Sequence, residues 1–128
     1  RWLYVAAPAN ARILRLDMDA GSAGERLRVQ EPGTTYKTWN DTIWEVFLEG
    51  SSAGFAKVSG LEFVGDILVV SDNTSGEIIA FDQEGDEVDR YATGLAEGAL
   101  MGMAIRSETE LWFTDAEEDK VYRLAAVE

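Results

Sequence analysis

The residues best suited to chemistry are carboxylates and one amide that stand directly after two apolar runs. Asp72 and Asn73 end one run, and Asp115 ends another, with further acids at 117–119. Hard cations such as Ca²⁺ take six to eight oxygen ligands, so Asp72, Asn73 and Asp115 are candidate calcium ligands and candidate ligand-binding residues. The alternative is that both Asp side chains accept backbone N–H groups of their own turns, as Asp commonly does.

The chain has no histidine and no cysteine, and their absence excludes several chemistries. Ser-His-Asp and Cys-His catalysis need a histidine base, and thiolate nucleophiles, disulfides and zinc–sulfur sites need cysteine. With 24 acidic residues, chance pairs of carboxylates are expected, so such pairs are weak evidence for general acid–base catalysis. We assign no catalytic residue and favour a binding module over an enzyme.

The charge balance also limits the partners. The chain carries 11 basic and 24 acidic residues, a net charge of −13. Phosphate backbones and anionic lipid surfaces repel such a chain, and no apolar run approaches the roughly 18 residues that span a bilayer. We therefore expect a soluble protein that binds neither nucleic acid nor membrane, needs no cofactor except possible calcium, and takes a small-molecule or protein ligand.

An internal repeat organises the chain. Three segments superimpose without gaps, the first two offset by 65 residues and the last two by 43: 3–17, 68–82 and 111–125. Each reads as an apolar strand, a polar turn and a second strand that alternates in period two. Further strands at 60–63, 87–92 and 102–105 extend the pattern to four short antiparallel strands in roughly 43 residues, which is typical of a propeller blade.

The apolar runs and their closing acids resemble a known repeat. Val70-Ser71-Asp72 and Phe113-Thr114-Asp115, each followed by a turn, a charged residue and an alternating strand, resemble the NHL repeat of six-bladed β-propellers. The resemblance implies an all-β fold with roughly three blades of four antiparallel strands per chain. The first unit departs from the pattern, because Ala7 stands where the repeat has Asp.

The same class of fold implies an alternative function. Calcium-dependent propeller lactonases place Glu, Asn and Asp side chains around a metal in the central channel. Glu62, on an innermost strand, has the right type to join the candidate ligands Asp72, Asn73 and Asp115. This similarity implies a calcium-dependent lactonase or hydrolase with its site at the channel mouth, although the spacing matches no motif that can be transferred residue by residue.

We divide residues 1–128 into one array of three units: about 1–58, with an insertion at about 22–58, then about 59–98 and about 99–128. Within the insertion, 42–48 has apolar residues at both parities and predicts a strand buried on both faces. Trp39 and Trp44 form either a ligand platform or interface anchor, or, as we favour, pack against a neighbouring blade. Trp112, in a predicted strand, is expected in the core.

Three blades cannot close a ring, which takes four to eight. The first unit lacks an inner strand and the third lacks an outer strand, and an open arc exposes apolar faces and strand edges. We expect a head-to-tail homodimer that forms a six-bladed ring. The alternative is a fragment of a longer propeller with no site of its own.

Overall fold

The computed structural model describes residues 1–28 and 31–127 as an all-β chain. Val29, Gln30 and Glu128 lie outside the described residues, so the last position of the third unit is not covered. The described part contains a 3-10 turn at Pro8–Asn10, one short helix, α1 (Gly50–Ala53), and these strands: β1 (Trp2–Ala7), β2 (Arg12–Asp17), β3 (Ser22–Leu27), β4 (Tyr36–Asn40), β5 (Trp44–Glu49), β6 (Val58–Val64), β7 (Ile67–Asp72), β8 (Glu77–Phe81), β9 (Glu87–Ala92), β10 (Leu100–Ser107), β11 (Glu110–Asp115) and β12 (Lys120–Ala125). Within these two ranges no helix has the length and apolar character needed to cross a membrane.

The strands form four antiparallel sheets, which confirms the all-β antiparallel prediction. Sheet 1 has the order β1-β2-β5, sheet 2 the order β6-β7-β8-β9 and sheet 3 the order β10-β11-β12, while β3 and β4 form a separate hairpin. Sheet 2 is therefore a complete four-stranded meander. Sheet 1 has no strand beside β1 where sheet 2 has β6, and sheet 3 has none beside β12 where sheet 2 has β9, among the strands of the described ranges.

The sequence repeat is also a repeat of backbone conformation. The second and third strands of each unit are joined by a turn that ends on a residue with positive φ: Ala11 at 49°, Gly76 at 72° and Asp119 at 53°. These three residues are related by the same offsets of 65 and 43 as the strands around them. The turn geometry therefore recurs even where the residue is not glycine.

Two apolar layers hold the sheets together. The first lies between sheets 1 and 2 and is built from these buried side chains: Ile13, Leu48, Phe55, Val58, Leu68, Val70, Ile79 and Phe81. The second lies between sheets 2 and 3 and is built from Val69, Ile78, Leu100 and Phe113. Because side chains alternate between the two faces of a strand, sheet 2 contributes one face to each layer, whereas sheets 1 and 3 contribute one face only.

Two predictions about burial are wrong. The strand predicted to be buried on both faces, β5, buries Leu48, but Trp44 on the opposite face is 57% exposed. Trp112, predicted in the core, is 38% exposed on β11. Both tryptophans lie on the outward face of a terminal sheet, where no further sheet of the described residues covers them. The sequence pattern of a two-sided strand is present, but within the chain only one side has a partner.

The hairpin accounts for the extra residues of the first unit. Among the described strands, β3 and β4 pair only with each other, with Ser22 opposite Asn40. The indole N–H of Trp39 donates to the carbonyl of Ala20 at 2.9 Å. β5 then pairs with β2 just as β9 pairs with β8. The segment at 22–58 thus contains a hairpin, the outer strand of sheet 1 and the connection to sheet 2.

Candidate functional site

Asp72 ends β7 and is almost fully buried. Its Oδ1 accepts backbone N–H groups from Lys57 at 2.9 Å, Thr74 at 3.2 Å and Ala56 at 3.3 Å. Its Oδ2 accepts the Ser75 hydroxyl at 2.7 Å. The carboxylate therefore joins the segment before β6 to the turn after β7, and its acceptor capacity is largely used inside the protein.

The electrostatics of Asp72 fit this role. Burial raises the pKa of the Asp72 carboxyl, but the hydrogen bonds from Lys57, Ser75, Thr74 and Ala56 outweigh it, so the net pKa lies below the ordinary value. Hydrogen bonds to the charged form of a carboxylate favour ionisation. Asp72 is consequently a structural anion that organises backbone donors.

Asn73 connects sheet 2 to sheet 3. Its Nδ2 donates to the carbonyl of Leu100 at 2.9 Å and to Sδ of Met101 at 3.3 Å. Its backbone N–H donates to the carbonyl of Lys57 at 2.7 Å, and its carbonyl accepts the N–H of Gly98 at 2.9 Å. Asn73 is buried, so its side-chain amide fixes the start of β10 instead of presenting itself to solvent.

Asp115 occupies the equivalent place at the end of β11. Its Oδ1 accepts backbone N–H groups from Glu117 at 3.0 Å and Glu118 at 3.1 Å, and the side chain is buried. Its partner in the β10–β11 ladder is Leu100, the residue whose carbonyl Asn73 holds. Asn73 and Asp115 thus flank one residue, and the turn hydrogen bonds considered for Asp72 and Asp115 are present in both turns.

Glu62 is not part of this group. It faces Val69 in the β6–β7 ladder, three residues before Asp72 on β7, which places it about 10 Å away along the strand. It borders an opening of about 360 Å³ between β1 and β6, together with Trp2 and Tyr4. Across residues 1–28 and 31–127, no group of three or more acidic side chains is arranged to hold a metal ion. Calcium binding stays a prediction without a geometric site.

Trp39 and Trp44 do not form one platform. Trp39 lies on β4 of the hairpin and is 55% exposed, whereas Trp44 begins β5 in sheet 1. The aromatic ring pairs within the described ranges do not include these two indoles. Trp39 and Trp44 are 55% and 57% exposed within the described chain, and their packing against a neighbouring blade stays a prediction. Each is available as a separate contact residue.

Sequence reasoning missed a cavity of about 380 Å³ between sheets 2 and 3. Its walls include Val69 and Ala80 from sheet 2 and Leu111 and Leu124 from sheet 3. The sequence did contain a signal for it: Ala80 in the second unit is equivalent to Arg15 in the first unit, by the offset of 65 residues. A small residue at a position that is large in another unit leaves space between two sheets.

The structure therefore separates the candidates into three places. Asp72, Asn73 and Asp115 brace the turns that join sheets 2 and 3, Glu62 lines an inner strand, and the two tryptophans lie on other surfaces. Both oxygens of Asp72, the side-chain N–H₂ of Asn73 and Oδ1 of Asp115 already form hydrogen bonds within the chain, which leaves these side chains little capacity for a metal ion. No family model, curated protein or solved structure matches the chain, and the functional assignment accordingly rests on its own repeat and geometry.

Proposed function

We propose that the chain is a non-catalytic binding module of the NHL-like propeller type, a half-propeller that a second copy completes into a six-bladed ring. One observation carries the proposal: the two uncovered sheet faces have the residue types of the faces that already pack together inside the chain. We call the face by which sheet 2 packs on sheet 1, and sheet 3 on sheet 2, the front face of that sheet, and the opposite face its back face. The front face of sheet 1 is the equivalent face, which carries Leu3 and Val5.

The packed pair inside the chain sets the standard. The back face of sheet 1 carries Tyr4, Ile13 and Arg15, and Tyr4 and Ile13 pack in the apolar layer against sheet 2. The front face of sheet 2 supplies the other half of this layer: Leu68, Val70, Ile79 and Phe81. An aromatic and a β-branched side chain thus pack against large apolar side chains of sheet 2, with a basic residue beside them on the same face of sheet 1.

The back face of sheet 3 repeats the first of these surfaces. Applying the offsets of 65 and 43 residues, Trp112 stands where sheet 1 has Tyr4, and Val121 and Arg123 stand where it has Ile13 and Arg15. Val121 is 64% exposed, because no sheet formed by residues 1–28 and 31–127 covers this face. The back face of sheet 3 therefore suits a partner surface like the front face of sheet 2, which covers the back face of sheet 1.

The front face of sheet 1 repeats the second surface. Four apolar side chains occupy the positions of the packed wall of sheet 2: Leu3, Val5, Leu14 and Leu16. Two residues of β5 extend this surface, since Trp44 lies opposite Leu16 in the ladder and Val46 lies opposite Leu14. A contiguous apolar patch on a sheet face marks an interaction site.

These two faces are complementary and lie on opposite ends of the sheet stack, so sheet 3 of one copy can pack on sheet 1 of another. Such head-to-tail contacts form a closed ring when the rotation that relates one copy to the next allows it. Two copies supply six sheets, a common propeller size. The exposed hairpin with Trp39 and the turns around Asp72 then offer the surfaces for a small-molecule or protein ligand.

The experiment is a molar-mass measurement by light scattering on a size-exclusion column. We expect the parent chain to elute as a dimer. Val121→Glu places a charge on the back face of sheet 3 and is expected to give a folded monomer, because burying an unpaired carboxylate in an apolar interface is costly. Val88→Glu is the matched control, since Val88 on β9 of sheet 2 is 52% exposed and lies on neither free face.

A parent chain that is monomeric at micromolar concentration contradicts the ring, and it favours further blades on a longer chain as the cover of these faces. Equal dissociation of the Val121 and Val88 variants also contradicts it, because the contact would then not use the back face of sheet 3. A circular dichroism spectrum of each variant establishes that it is folded.

A further inference from the structure

We infer that the cavity between sheets 2 and 3 binds a small organic cation with a flat apolar body, such as an aromatic amidine. The cavity has a volume of about 380 Å³ and lies within one chain, so this inference does not depend on the ring. Its walls are mainly apolar, with Ile67, Val69 and Ile78 on one side and Leu111 and Leu124 on the other. Cavities of this size and lining are typical of small-molecule sites.

Sheet 1 shows which side chain the first unit has at the equivalent position. There the Arg15 guanidinium lies 4.5 Å from the centre of the Trp2 ring and 5.0 Å from that of Phe47. It also forms an ion pair with Glu45. A cation over aromatic faces is attracted by the quadrupole of the rings. The first unit thus holds a planar cation of its own against two aromatic rings of sheet 1.

The second inter-sheet space lacks that side chain. By the offset of 65 residues, Ala80 stands at the position of Arg15 and Ile67 at the position of Trp2, and both line the cavity. The replacement removes a guanidinium and an indole from a place where the flanking strands keep the same pairing. The cavity therefore has room beside Ala80 for a planar cation like the one that Arg15 supplies in the first unit.

The charges around the cavity favour a cation. Arg90 lines it, but its guanidinium is engaged by Glu77 and Glu87. Two further lining acids, Asp89 and Glu108, form no ion pair with the residues that the structure describes. Their carboxylates leave the rim negative and repel an anionic ligand.

An aromatic face is also available to the ligand. Tyr91 lines the cavity from β9, where it lies opposite Ile78 in the ladder, and its side chain is partly exposed. Cation–π contacts with tyrosine are stronger where the cation is partly desolvated. An apolar wall, an aromatic ring and uncompensated carboxylates together select a planar organic cation over a neutral or anionic molecule of the same shape.

The test is calorimetric titration of the full chain with benzamidine, and with benzamide and benzoate as neutral and anionic molecules of similar shape. We expect benzamidine to bind best and benzoate not to bind. Ala80→Arg restores the side chain found at position 15 and is expected to abolish benzamidine binding. Ser52→Arg is the control, because it adds the same charge at an exposed residue of α1 that does not line the cavity.

A second variant keeps the test decisive if the arginine at position 80 prevents folding. Glu108→Gln changes an exposed side chain, and we expect it to weaken benzamidine binding roughly two- to fivefold, the range for an exposed charge pair, without affecting benzamide. Absence of benzamidine binding to the parent chain overturns the inference. Equal binding of benzamidine and benzoate, or a Glu108→Gln variant that weakens both benzamidine and benzamide alike, overturns the role of charge.

Discussion

Asp72 is the residue on which the turn region depends most. Its carboxylate accepts three backbone N–H groups and the Ser75 hydroxyl. Removing a buried acceptor leaves its donors unsatisfied, at about 1–3 kcal/mol for such a group. We expect Asp72→Ala to lower the free energy of unfolding by about 2–4 kcal/mol, measured by urea titration.

Asp82→Ala is the control for this loss. Asp82 also accepts two backbone N–H groups, from Glu84 at 3.0 Å and Asp86 at 2.9 Å, but these contacts are exposed, so we expect a loss below about 1 kcal/mol. Equal losses of stability in Asp72→Ala and Asp82→Ala would show that the buried network adds nothing.

The pKa of the Asp72 carboxyl is lowered by folding. Its contribution to the free energy of unfolding is therefore present above the unfolded value near about 3.9 and is lost as pH falls through the lower folded value. The free energy of unfolding of Asp72→Ala should consequently depend less on acid pH than that of the parent chain.

At the level of elements, the strands and turns follow from local pattern, whereas burial does not. Each segment encodes its alternating apolar residues and the spacing of its turn, which recurs from unit to unit. The strands of the second and third units lie where the repeat predicts them: β7, β8, β11 and β12. Whether a face is covered depends on which sheet lies against it, which no single strand encodes. Trp112 and Trp44 carry the apolar character of a core strand and are exposed for this reason.

The candidate site shows the same division. The positions of Asp72 and Asp115 at strand ends follow from the repeat, and so does the possibility that each accepts N–H groups of its own turn. The link from Asn73 to the Leu100 carbonyl spans 27 residues along the chain and depends on how sheets 2 and 3 stack. The cavity at Ala80 likewise arises from packing between sheets, which only a comparison of equivalent positions can suggest.

The recurring turn gives a prediction at the same scale. Ala11 has φ of 49°, a left-handed conformation that costs a residue with a Cβ about 1–2 kcal/mol, while glycine adopts it freely but loses more chain entropy. We expect Ala11→Gly to stabilise the chain by about 0.5 kcal/mol. Gly76→Ala at the equivalent position should destabilise it by about 1–3 kcal/mol, because the added Cβ would also lie 2.8 Å from the Leu95 carbonyl oxygen.

Gly94→Ala separates the two causes, since Gly94 has φ of 75° but no atom within 4 Å of an added Cβ. Its loss, measured by the same urea titration, should be smaller than that of Gly76→Ala. A stability unchanged or lowered in Ala11→Gly would show that the first turn is held by something other than its backbone preference.

At the scale of the whole molecule, the net charge of −13 would oppose apolar attraction between the two copies of the proposed dimer. Two like-charged chains repel over the Debye length, which falls from about 30 Å at 0.01 M salt to about 8 Å at 0.15 M, while burial of the faces around Leu3 and Val121 depends little on salt at these concentrations. We therefore expect the dimer to tighten as salt rises over this range, measured by sedimentation equilibrium. Dissociation on adding salt would instead mean that ion pairs between the copies dominate the contact, and the apolar match between the two free faces would not be its source.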